Sequence, residues 1–247
     1  WLLGPVSVAL LYVALINISP RIAAWLGWTY GLTCFGLGAS WIYVSIHEYG
    51  NAGPVLSVII TTLFVAGLAL FFMLQCWAYR RFAARYLPIL GFTALWVLVE
   101  WLRSWLFTGF PWLYLGSAHV TSMFSGIAPI LGVLGISFVI ALSGAIIGNL
   151  LQHYFTVERS LYALCKTQLP TALLMLWGMA SVTSKLSWVD ATDQTLTVGI
   201  VQGNIEQGMK FRSDYLQYTL DTYEELSADL WQNSLVLWPE TAIPMAY

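Results

Sequence analysis

A multi-span α-helical membrane bundle followed by the start of an α/β domain is the fold class this chain predicts. Three observations predict it. Hydrophobic residues make up 59% of the 247 and charged residues only 9%, where a soluble domain carries about 25% charged. Apolar stretches long enough to cross a bilayer recur as far as Ser187. The charge balance then inverts: eight basic and three acidic residues precede Asp190, and two basic and nine acidic residues follow from there on. The break near Ser187–Asp190 sets the expected division, residues 1–188 as a transmembrane helical domain and 189–247 as the beginning of a second domain on the other side of the membrane.

A helix needs about 20 apolar residues to span the hydrocarbon core, and only a structure that satisfies its own backbone groups survives there. Six spans are predicted, about Leu2–Ile18, Ile22–Ile46, Gly53–Ala78, Leu87–Phe107, Ile127–Leu150 and Leu169–Ser187. Gly36, Gly38, Gly132 and Gly135 are expected to let helices approach closely. Lys and Arg mark the cytoplasmic loops. Arg21, the Arg80, Arg81 and Arg85 group, and Arg159 with Lys166 fall in alternate loops, which are therefore assigned to the inside. The loops around His47–Asn51 and Thr108–Ser125 carry no Lys or Arg and are assigned to the outside, as is the segment after Ser187. The first span lacks a basic flank and is not read as a cleavable leader. The chain runs from Trp1 to Tyr247 and is expected to be a piece of a longer protein.

The external loops Trp41–Pro54 and Trp101–His119 are rich in Trp, Tyr, Phe and Gly. Such residues form an interfacial belt, or the rim of a site for a lipid-like substrate. Glu100 and Arg103 stand three apart on one helix face and can pair; ionisable groups at membrane depth flag either a structural pair or a headgroup contact. His47, His119 and His153 are solitary, and Cys34, Cys76 and Cys165 lie far apart in apolar surroundings, so no metal, cofactor or disulfide is expected.

Past the boundary, Leu196–Gln202 reads as a strand, Gly203-Asn204 as a turn, and Asp214 to about Trp231 as a helix. Ser213 or Asp214 can cap that helix, with Tyr215, Tyr218, Tyr223, Leu226 and Leu230 on its inner face. A second strand, Ser234–Trp238, is stopped by Pro239 and followed at once by Glu240. Proline stiffens the turn, and a strand end is a rigid place from which to aim a catalytic acid. A solvated Glu at a strand-to-loop junction fits the same spacing.

The segments VGIVQGNIEQGMKF and LVLWPETAIP resemble the opening of a nitrilase-type carbon–nitrogen hydrolase domain, an α-β-β-α sandwich. ASWIYVSIHEYGNAGP, ALWVLVEWLRSWLFTGFPWLYLG and IAPILGVLGISF resemble bacterial apolipoprotein N-acyltransferases, in the same order and over nearly the whole chain. That resemblance implies an enzyme of the bacterial inner membrane, its nitrilase-like domain on the periplasmic side. The enzyme moves an acyl chain from a phospholipid, through a thioester, onto the N-terminal amine of a diacylglyceryl-cysteine lipoprotein. It implies a Glu–Lys–Cys triad in which Glu240 of WPE is the acid. Phe211 stands where the family often has Trp in a substrate-holding loop, and Trp112 of GFPW lines the acyl entrance. Lys210 belongs to an earlier loop than the triad Lys, and Cys165 lies on the wrong side to be the nucleophile. The triad Lys and Cys, a preceding span and a closing span are expected outside residues 1–247, so this piece is expected to be inactive alone. A monomer embedded in the membrane, with phospholipid donor and diacylated acceptor as partners and no nucleic acid, completes the expectation. Alternatives are a membrane-tethered nitrilase-type amidase and a transporter or binding protein using Glu100 and Arg103.

Overall fold

The computed structural model describes residues 1–158, 167–190 and 192–243. Arg159, Cys165, Lys166 and Pro244, on which parts of the sequence reading rest, lie outside the described residues. The chain divides into two compact units, Trp1–Trp188 and Val189–Tyr247.

The first unit is helical. Its main helices are α1 (Leu3–Ala14), α2 (Pro20–Gly38), α3 (Pro54–Ala78), α4 (Pro88–Arg103), α5 (Ala128–His153) and α6 (Leu169–Thr183). Pro20, Pro54, Pro88, Pro129 and Pro170 sit at the first or second position of their helices. Proline is favoured there because its φ is already helical and its missing N–H has no partner to lose. Ser19 adds a side-chain cap by accepting from Ile22 N.

Among the described residues, two helical runs are long and apolar enough to cross a membrane: Pro54–Ala83, 30 residues with mean hydropathy 2.6, and Met123–Thr156, 34 residues with mean hydropathy 2.5. The other expected spans come out shorter. The second stops at Gly38, after which Trp41–Val44 forms a separate turn of helix and Ser45–Tyr49 a wider one. The fourth stops at Arg103 rather than Phe107: Trp105 departs from helical φ at −137°, and Phe107, Thr108 and Gly109 then take positive φ and turn the chain back. At Gly109 an added Cβ would fall 2.1 Å from the Ser104 carbonyl oxygen, so the turn needs glycine there.

Close helix approach falls on glycines other than those singled out from the sequence. An added Cβ at Gly27 would sit 2.3 Å from Phe72 O, and at Gly31 2.8 Å from Ala69 Cα, so α2 lies directly on the α3 backbone. Gly144 meets Val8 and Gly148 meets Ala9 and Tyr12, which seats α1 against α5. Gly132, by contrast, has open space around it and φ of 65°, and it kinks α5 instead of packing it. Between these contacts an aromatic core of Tyr12, Tyr79, Phe92, Trp96, Phe72 and Phe35 is buried, mostly edge to face. At one end of α2 the Arg80 Nε donates to Ile18 O at 3.0 Å; at its other end the Trp41 and Trp112 rings stand 6.1 Å apart.

The second unit pairs β1 (Val198–Ile200) in parallel with β2 (Leu235–Leu237), Val198 opposite Leu235. Helix α7 (Leu216–Ser227) connects them. The strands are shorter than their apolar runs. The helix also differs in detail. Its buried residues are Thr219, Tyr223 and Ser227, while Tyr218 and Leu226 are exposed. The hydroxyls tolerate burial because Thr219 donates to Tyr215 O and Ser227 to Tyr223 O, one turn back. Asp214 does not cap α7; it takes a two-point ion pair from Arg212.

Candidate functional site

In the first unit the ionisable pair on α4 does something other than pair. Both side chains are buried, Glu100 at 5% and Arg103 at 3% exposure. Among the described residues no ion pair joins them. Glu100 Oε1 instead accepts from Trp96 Nε1 at 3.0 Å and from the Leu115 amide at 2.8 Å. Arg103 donates through Nη1 to the carbonyls of Phe110 and Trp112, and through Nη2 to that of Leu113. Its guanidinium lies over the Phe35 and Tyr114 rings, 5.2 and 5.0 Å from their centroids. The two charges therefore clamp the loop that follows α4, one by its N–H and the other by its C=O groups. That loop holds Phe107, Thr108 and Leu113 at positive φ, which persists only where surroundings over-determine it.

The clamped loop forms one wall of an apolar groove of about 480 Å³, the other wall being α3. Leu63, Phe64, Leu70 and Leu74 face Phe107 and Phe110 across it, with Arg103 at its edge. Gly67 also lines it, and an added Cβ there would meet nothing within 4 Å. Trp112 is half exposed beside it, its ring 5.0 Å from Phe110. Farther along the same connection, His119 is fully buried against Gly4 and Phe124, and both ring nitrogens lack a hydrogen-bond partner among the described residues. Burial holds its pKa below the ordinary imidazole range.

In the second unit Glu240 sits at the centre of a tight turn. Ala242 N donates to Pro239 O at 3.2 Å, and Thr241 takes φ of 57°. The turn is pinned on both flanks. Trp238 stacks on Tyr223 at 5.3 Å and donates Nε1 to Ser227 Oγ at 2.9 Å, while Ala242 is buried in the small core with Val201. The Glu240 side chain is exposed. Its backbone carbonyl accepts from Lys210 Nζ at 3.1 Å and from Thr241 Oγ1 at 2.6 Å. Phe211, next to Lys210, is 66% exposed. Of the three residues picked out from the sequence, Glu240 and Phe211 thus belong to one local arrangement, linked through Lys210. Trp112 belongs to the first unit. The Lys210 contact spans 30 residues of sequence, and nothing in the spacing announces it.

Residues 1–146, which hold the clamp and the groove, match the model of the apolipoprotein N-acyltransferase N-terminal domain. The chain belongs to the apolipoprotein N-acyltransferase family. Full-length relatives carrying that name extend the likeness past the matched domain. The protein from Pseudomonas putida is 38% identical over 99% of this chain, and that from Pseudomonas paraeruginosa 40% over 99%. The one from Coxiella burnetii is 40% identical over 97%. The Glu240 turn therefore lies within the length shared with the apolipoprotein N-acyltransferases. The chain spans about half the length of these curated relatives, 48 to 49% of each.

Proposed function

We propose that this chain is the membrane portion and the opening of the catalytic domain of a lipoprotein N-acyltransferase. The complete enzyme transfers an acyl chain from a membrane phospholipid to the N-terminal amine of a diacylglyceryl-cysteine lipoprotein. The observation that carries the reading is likeness along nearly the whole chain to proteins named for that activity, with the WPE turn inside the shared length.

Chemically, a thiol is mostly protonated at neutral pH and needs a base to become a nucleophile. The Glu240 carboxylate, on a turn anchored at both flanks, takes the thiol proton from a cysteine outside this chain. The thiolate attacks the phospholipid ester carbonyl, the lysophospholipid oxygen leaves with a proton returned by Glu240, and a thioester remains. The lipoprotein amine then attacks the thioester, giving the amide and regenerating the thiol. A lysine outside this chain stabilises the oxyanion formed in each step. Phe211 offers an apolar contact to the acceptor, without the indole N–H of a Trp at that place. Trp112 and the groove along α3 receive the acyl chain of the donor.

Six crossings, with the Arg21 and Arg80–Arg85 loops inside and the aromatic loops outside, tether this chemistry to the outer face of the bacterial inner membrane. The contact of Arg80 with Ile18 at one end of α2 and of Trp41 with Trp112 at the other supports that alternation. The nitrilase-like fold of the second unit is supported by its parallel β–α–β opening. The test is incubation of the full-length protein with phospholipid vesicles and a diacylated lipopeptide. Appearance of the triacylated peptide and lysophospholipid supports the reading; hydrolysis of small amides without acyl transfer contradicts it.

A further inference from the structure

We infer that Lys210 is a positioning residue, a latch that holds the peptide between Glu240 and Thr241 in the orientation the Glu240 carboxylate needs. The inference rests on Glu240 being the catalytic acid.

Residues Pro239 to Ala242 form a four-residue turn closed by Ala242 N on Pro239 O. Thr241, at its third position, has positive φ, whereas Glu240 is not among the positive-φ residues. That sign pattern belongs to a type II turn, which favours Gly or Asn at the third position. Thr is a β-branched residue for which the left-handed region is unfavourable. Rotating the central peptide would convert the turn to type I and return Thr241 to negative φ. The chain resists that rotation because the central carbonyl has two donors. Thr241 Oγ1 approaches it from within the turn at 2.6 Å, and Lys210 Nζ from the Gln207–Lys210 segment at 3.1 Å. Only the lysine ties the turn to a different part of the fold. If the peptide rotated, the carbonyl would leave Lys210, and the changed ψ of Glu240 would turn the peptide beside its side chain and alter the rotamers open to the carboxylate. A misplaced catalytic group loses rate much more than it loses fold stability. Lys210 is half-buried and Thr241 exposed, and neither belongs to the small core of Val201, Tyr223 and Ala242, so replacing either leaves that core intact.

The experiment uses the full-length enzyme in phospholipid vesicles with a diacylated lipopeptide acceptor, reading kcat and KM for Lys210→Met, Lys210→Arg, Lys210→Met/Thr241→Gly and Glu240→Gln. Lys210→Met is expected to lose about 10- to 100-fold in kcat with KM for the acceptor little changed. Lys210→Arg keeps a donor for the carbonyl and retains most of the rate. Glycine at 241 removes the penalty of positive φ, so Lys210→Met/Thr241→Gly recovers most of what Lys210→Met loses. Unimpaired kcat in Lys210→Met, or a double variant no better than the single one, would overturn the latch. An inactive Glu240→Gln beside an unimpaired Lys210→Met removes the latch alone. A fully active Glu240→Gln removes the Glu240 assignment and the latch together.

Discussion

Glu100 and Arg103 stand three apart on α4, yet each bonds the loop beyond the helix rather than the other. Spacing along a helix fixes which residues share a face and leaves open what that face meets. Arg103 serves three carbonyls, so removing it strands the buried acceptor of Phe110 and two half-buried ones and releases a loop with three non-glycine residues at positive φ. Arg103→Met is expected to cost about 3 kcal/mol, read as a lowered Tm with new protease cleavage between Leu106 and Leu113. Glu100→Gln keeps an oxygen for the Leu115 amide and is expected to cost about 1 kcal/mol. His119 makes a separate case. Its pKa is depressed by burial, so the unfolded chain binds the proton first as pH falls. Stability is then full above the ordinary imidazole value near 6.5 and falls as pH drops from there toward the lower folded value. A pH series of Tm should show this slope in the parent protein and a flatter one in His119→Leu. The Glu240 turn was legible in the sequence as Pro-Glu after an apolar run. Its tie to Lys210 was not, because that depends on a residue brought in from 30 positions away.

Elements show the same division between pattern and partner. Apolar runs marked where helices form, and the alternation in LTVGIVQ marked a strand. The inner face of α7 was misassigned because hydrophobicity favours Tyr218 and Leu226 over Thr219 and Ser227. The hydroxyls are buried only because each bonds a carbonyl one turn earlier, which composition does not reveal. Glycines in spans likewise look alike in sequence, although Gly31 and Gly144 seat neighbouring helices, Gly132 bends one, and Gly67 leaves space in a groove. That last position gives a selective probe. Gly67→Leu places a side chain in the groove along α3 without meeting its neighbours at Cβ. The expected result in the full-length enzyme is an unchanged or slightly raised Tm, since Gly is about 1 kcal/mol poorer than Ala in a helix. KM for a long-chain phospholipid donor should rise about tenfold, in line with one blocked apolar contact. An unchanged KM would remove the groove from the acyl path.

For the whole molecule, the proposed function turns on sidedness. Under the proposed reading, basic loops at one end of the bundle and aromatic loops at the other put the second unit on the side of the aromatic loops. Single cysteines introduced at Asn51 and at Ser234 in intact cells should react with a membrane-impermeant maleimide, and one at Arg81 only after the inner membrane is opened. Labelling of the Ser234 and Arg81 positions from the same side would contradict the six-crossing arrangement. Whether the WPE turn supplies the base for an acyl-thioester enzyme is decided by measuring thioester formation from phospholipid in the full-length protein carrying Glu240→Gln. Loss of the acyl-enzyme by about 100-fold or more, with the Tm unchanged, is the predicted result; acylation at the parent rate would contradict it.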